Sequence, residues 1–164
     1  MKLKLPIKNK QSGFTLLESL MALFVLTVGI LGVAGLQVQS MKAGHFAKQR
    51  MIAVSYTEEL LERIRSNPAG VAEYATVTAE SFGCSSGNVC TATQMAADDL
   101  FIWNDAVTKA FPGEPNMTVT AEAIDDAALD PENLGRSINI NISWEDQGDS
   151  FSFDSVALIN IQRQ

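Results

Sequence analysis

From Ser19 to Met41 the chain runs without a charged residue, and the stretch SLMALFVLTVGILGVAGLQVQSM is apolar on every side of a helix. At 1.5 Å of rise per residue it is long enough to cross a hydrocarbon layer of roughly 30 Å. The pattern then changes character without breaking. Ala43, Ala47, Met51, Val54, Leu61 and Ile64 recur at spacings near three, four and seven, as on a helix with one apolar face. Asn67-Pro68, followed by Gly70, supplies the stop, because proline disfavours helical conformation in the residue before it and has no amide to donate. One helix from Phe14 to Ser66 is expected, about 80 Å long. Its membrane half occupies 14–41 and its amphipathic half 42–66.

Beyond the stop, residues 67–164 read as a globular unit of mixed class. Thr91 and Gln94 form a capping box, and Met95, Leu100, Trp103, Val107 and Phe111 make a helical stripe that Pro112-Gly113 ends. The stripe is expected to be core, not a ligand pocket. Three strand patterns follow, at 117–124, 137–144 and 151–161. In the middle one Ile138, Ile140, Ile142 and Trp144 alternate with small polar residues, so one face is buried and one wet. Glu145 to Asp149 is turn-like and makes the last two strands an antiparallel hairpin. Phe151 and Phe153 share one parity but Val156 and Leu158 the other, which predicts a bulge near Asp154-Ser155. A sheet of this size needs a cover, and the amphipathic half of the first helix is the nearest one. The expected fold is α+β: a long N-terminal transmembrane and stem helix packed on a small antiparallel sheet, with a second, short helix.

Charge sharpens this picture. Lys2, Lys4, Lys8 and Lys10 precede the apolar run with no acid among them, whereas residues 67–164 hold fifteen acidic residues against three basic ones. The run is too long for the apolar core of a secretory signal peptide and does not break where cleavage would fall. The lysines stay on the cytoplasmic side and place residues from about 42 onward across the membrane. In an oxidising exported compartment Cys84 and Cys90, the two cysteines of the chain, are expected to pair. Their five intervening residues do not match a two-residue redox spacing, and no further ligands complete a zinc site. A net charge of −7 argues against nucleic acid as a direct partner. His45 is the single histidine and lies just past the span beside Lys42 and Lys48, the wrong place for a nucleophile and base, so no enzyme and no cofactor is expected. Asp98 and Asp99 read as solvated acids near a helix start. Asp125, Asp126 and Asp130 offer oxygens but lack the spacing of a known calcium loop, leaving calcium open.

The most informative residues are Gly13-Phe14-Thr15-Leu16-Leu17-Glu18, between the basic leader and the apolar run. A carboxylate a few residues into a membrane helix is costly unless a partner or a proton neutralises it. A cut between Gly13 and Phe14 would create an amine four residues before Glu18, and a neighbouring copy could then pair its amine with this acid.

That constellation resembles the processing site of type IV pilins and the related type II secretion pseudopilins. Met95 to Trp103, Phe111-Pro112-Gly113, Ile142 to Asp146 and Glu58 to Pro68 are further similar to the minor-pilin group called PilV, the type IV pilus modification proteins. The resemblance implies that residues 1–13 are a leader removed after Gly13 by a prepilin peptidase, that Phe14 is N-methylated, and that Glu18 docks the subunit into a filament. Implied partners are other minor and major pilins, the inner-membrane assembly machinery and, before assembly, membrane lipid. The implied location is a single-pass inner-membrane protein with a periplasmic domain, then the pilus. A pseudopilin, or a membrane-anchored domain that never polymerises, are the alternatives. Many major pilins carry a proline about twenty residues after the cut; Gly29, Gly32 and Gly35 stand in that region here, either as a close-packing face or as ordinary membrane-helix glycines. Major pilins often close a disulfide loop near the carboxyl terminus, whereas Cys84 and Cys90 lie between the helices, so that loop's surface role does not transfer.

Overall fold

A computed structural model describes residues 15–124 and 134–161. The chain divides into two compact units, Met1–His45 and Phe46–Gln164. The first helix, α1, covers Leu16–Ser66 and runs through both. It starts on Thr15, whose Oγ1 accepts the Glu18 N–H at 3.3 Å and whose carbonyl accepts the Ser19 N–H at 3.3 Å, satisfying amides that a helix start leaves without intrahelical partners. Phe14, the expected first helical residue, lies outside the described residues, as do Gly13 and the rest of the leader.

In the first unit the described part of α1 is exposed throughout, including Leu20, Phe24, Val25, Leu31 and Leu36. It is the one helix among the described residues long and apolar enough to cross a membrane. Beta-branched residues such as Val25, Thr27, Val28 and Ile30 are weak helix formers in water. In hydrocarbon the backbone has no other way to satisfy its N–H and C=O groups.

In the second unit α1 buries Gln49, Ala53, Thr57, Leu60, Leu61 and Ile64, one face at spacings of three and four. The polar Thr57 is tolerated there because its hydroxyl donates to the Ala53 carbonyl at 2.8 Å. The second helix, α2, covers Ala92–Ala110 and carries the capping box read in the sequence: Thr91 Oγ1 accepts the Gln94 N–H at 3.2 Å, and Gln94 Oε1 accepts the Thr91 N–H at 3.0 Å. Leu100, Trp103, Val107 and Phe111 of the expected stripe are buried, Met95 half-buried. The Trp103 indole is fully inside and donates to the Tyr56 carbonyl of α1 at 2.8 Å, so the two helices share a polar tie as well as an apolar contact.

Strands β1 (Asn116–Ala123), β2 (Leu134–Asp146) and β3 (Asp149–Ile161) form an antiparallel sheet in the order β1-β2-β3. Ile138, Ile140 and Ile142 of the central strand are fully buried in one core with Leu60, Ile64, Trp103 and Val107. The β2–β3 turn is tighter than the sequence suggested: Asp146 pairs with Asp149, leaving Gln147 and Gly148 with φ of 52° and 89°. Both central residues with positive φ match the right-handed twist of the strands they join.

The expected bulge at Asp154-Ser155 is absent. Asn141 pairs with Asp154, Ile140 with Ser155 and Asn139 with Val156 in unbroken register. Phe151, Phe153 and Ala157 pack against the core while Val156 and Leu158 are 63% and 69% exposed on the opposite face. The parity change reflects two aliphatic residues left in solvent, not a kink that hides them.

Candidate functional site

Two places gather the residues of interest. The first is the start of α1, where Glu18 sits exposed in the first turn. Glu18 occupies the third helical position after Thr15, where a carboxylate is favoured by the positive end of the helix dipole. Gly29, Gly32 and Gly35 follow on the same helix with open space where a Cβ would be. The start of α1 thus combines a negative side chain, an unobstructed apolar surface and small residues where another helix can come close.

The second place is the amino-terminal half of α2, where the disulfide loop joins it. Cys84 and Cys90 are bonded, with Cα atoms 5.8 Å apart, as the exported compartment led us to expect. The loop before Cys84 is held by Asp98. This carboxylate is 2% exposed; its Oδ1 accepts the N–H groups of Phe82 at 2.7 Å and Gly83 at 2.8 Å, with the Ser81 hydroxyl at 3.5 Å. Gly83 has φ of 69°, a conformation that lets two successive amides converge on one oxygen. Asp99, its neighbour, accepts the Tyr74 hydroxyl at 2.5 Å and pairs with Arg63 at 3.1 Å. Burial, reinforced by the hydrogen bond to Asp99, pushes the Tyr74 phenol well above its ordinary value, so it remains a donor through the neutral range.

These contacts correct the reading of Asp98 and Asp99 as solvated acids. Their donors come from the 74–83 loop and from α1, at sequence separations of 15 to 36 that local spacing does not reveal. The one available signal is Ala96-Ala97 just before them, small enough for a backbone to approach; Glu80 donates its N–H to the Ala97 carbonyl at 3.2 Å. Gln49 was also not singled out. Its amide donates to Asp146 at 2.9 Å and accepts the Trp144 indole N–H at 3.1 Å, joining α1 to the hairpin end of the sheet.

Among the described residues no group of three or more His, Cys, Asp or Glu side chains is placed to hold a metal ion. Asp125, Asp126 and Asp130 lie outside the described residues. The contacts of Asp98 and Asp99 tie the 74–83 segment and α1 to α2.

Residues 8–34 match the prokaryotic N-terminal methylation motif, and residues 35–101 match the family described as Type IV pilin Tt1218. Two segments of the chain are thus similar to type IV pilins, one to the family domain and one to the N-terminal methylation motif, and the fold is of the pilin-like α+β kind: a long apolar helix, a second shorter helix and a small antiparallel sheet. Comparison with curated proteins and with solved structures gives no match.

Proposed function

We propose that the chain is a minor pilin that enters a type IV pilus, in the initiating or tip complex. The observation that carries this reading is the methylation motif over residues 8–34 leading directly into an exposed apolar helix with Glu18 in its first turn. Removal of residues 1–13 by a prepilin peptidase exposes the Phe14 amine, which is then N-methylated and remains a cation. Glu18 of an adjacent subunit supplies the opposing charge. Pairing them removes the cost of holding a carboxylate in an apolar bundle, so the interaction selects the correct axial position as it forms. The apolar half of α1 passes from lipid to a bundle of like helices, and the acidic domain faces outward toward other pilins. Before that step the domain is periplasmic and the chain is anchored by its single span.

Mass spectrometry of the natural protein is expected to find a chain beginning with methylated Phe14. A functional chain that still begins at Met1 overturns the proposal and favours an anchored domain that never polymerises. Glu18→Ala is expected to be processed normally yet to fall at least about tenfold in sheared pili, the loss of one charge pair of 1.4 kcal/mol or more. Co-purification with secretion components in place of pili assigns the chain to the pseudopilins instead.

A further inference from the structure

Strand β3 lies at an edge of the sheet: β2 pairs with one side of it, and among the described residues no strand pairs with the other. In an antiparallel edge strand every second residue turns its N–H and C=O outward, a template for another strand. Proteins that must stay apart blunt such edges with lysine, proline or a bulge. From Asp149 to Ile161 this strand has no lysine, no arginine and no proline, its two charges, Asp149 and Asp154, lie in the half nearer the turn, and it pairs with β2 residue for residue. Its solvent face carries Val156 and Leu158, 63% and 69% exposed, whereas their neighbours across the sheet are Asn139, Ser137, Thr120 and Glu122. The two aliphatic residues stand at the rim of an otherwise polar face.

Charge narrows what can cover them. With fifteen acids against three bases over residues 67–164, two copies of the domain repel over most of their surfaces. Ser155 to Ile161 carries no charge and is the stretch of β3 where copies approach without that penalty.

We propose that β3 pairs antiparallel with β3 of a second copy, about a two-fold axis at Ala157. This register sets Val156 of each copy against Leu158 of the other, so four aliphatic side chains cover one another. It also sets Asp154 across from position 160 and not from the other copy's Asp154. Moving the axis to Val156 would place Leu158 against Asp154, and moving it to Ser155 would place Leu158 against Ser152. The contact is isologous and closes at two copies. It involves the second unit alone and holds whether or not the chain enters a pilus.

The test uses the full chain in detergent micelles. Residues directly opposed in such a pair have Cα atoms about 4.5–5.5 Å apart, within reach of a disulfide. Ala157→Cys is expected to give a covalent dimer on mild oxidation. A mixture of Val156→Cys and Leu158→Cys chains, altered only at exposed positions, is expected to cross-link several-fold more than either variant alone. By sedimentation, Leu158→Lys is expected to weaken dimerisation at least tenfold, with a melting temperature equal to the wild type's at dilutions where both are monomeric, while Thr118→Lys on β1 leaves dimerisation unaltered. A wild-type chain that stays monomeric, a dimer indifferent to Leu158→Lys and so held by the apolar helix, or equal cross-linking of single and mixed cysteine chains each overturns the proposal.

Discussion

Asp98 shows how much one side chain does in a domain of this size. A carboxylate this buried is stable because two backbone amides and a hydroxyl take the place of water around one of its oxygens. Asp98→Asn keeps an acceptor oxygen for these three donors but removes the charge that strengthens each bond. The variant is expected to lose about 2–3 kcal/mol of stability, read from urea unfolding. Tyr74 gives a prediction with a sign. Its folded value is raised above the ordinary 10.0, chiefly by burial and then by the bond to Asp99, so the protonated phenol favours the folded state. That contribution is complete below about pH 10 and is lost as pH rises toward the raised value. Thermal melting between pH 9 and pH 11 is expected to fall more steeply for the wild type than for Tyr74→Phe. Equal slopes would mean the phenol is not held as described.

At the scale of elements, the start of α2 and the inward face of β2 were legible in the sequence, whereas the buried face of α1 was not: of Ala43, Ala47, Met51, Val54, Leu61 and Ile64 only the last two are buried, and the helix turns Gln49, Ala53, Thr57 and Leu60 inward with them. Thr91 and Gln94 are three residues apart, so the start of α2 could be read locally, and the structure places both bonds of the box there. Thr91→Ala is expected to cost about 1 kcal/mol, with the loss confined to the first turn of α2 in amide exchange. The Ile138, Ile140, Ile142 alternation likewise fixed which face of β2 lies inward. The bulge failed because Val156 and Leu158 were assumed to be buried on account of being aliphatic, whereas a sheet with helices on one face leaves the other in water. The engaged state of Asp98 and Asp99 was invisible because their partners arrive from Tyr74, Phe82, Gly83 and Arg63. Of the residues assigned to processing and docking, Glu18 is found in the first turn of α1, while Gly13 and Phe14 lie outside the described residues.

For the whole molecule, the two units differ in what their sequences require. The apolar half of α1 needs only composition and length to suit a membrane, whereas the second unit depends on a core, a disulfide and a small number of buried polar ties. Replacing Cys84 and Cys90 by serine is expected to cost the domain about 2 kcal/mol, the value for a loop this short, and to leave membrane insertion of the chain unaltered. Carbonate extraction and chemical denaturation of the same variant separate the two effects.

The bridge from Gln49 has a mechanical corollary. An amide that gives a proton to Asp146 and takes one from Trp144 works in only one orientation and from only one place on its helix. Sliding α1 by one residue past the sheet would displace that amide by about 1.5 Å and swing it through roughly 100°. Gln49 thereby keys the register of α1 against the hairpin: a helix displaced by a single residue forfeits both bonds at once.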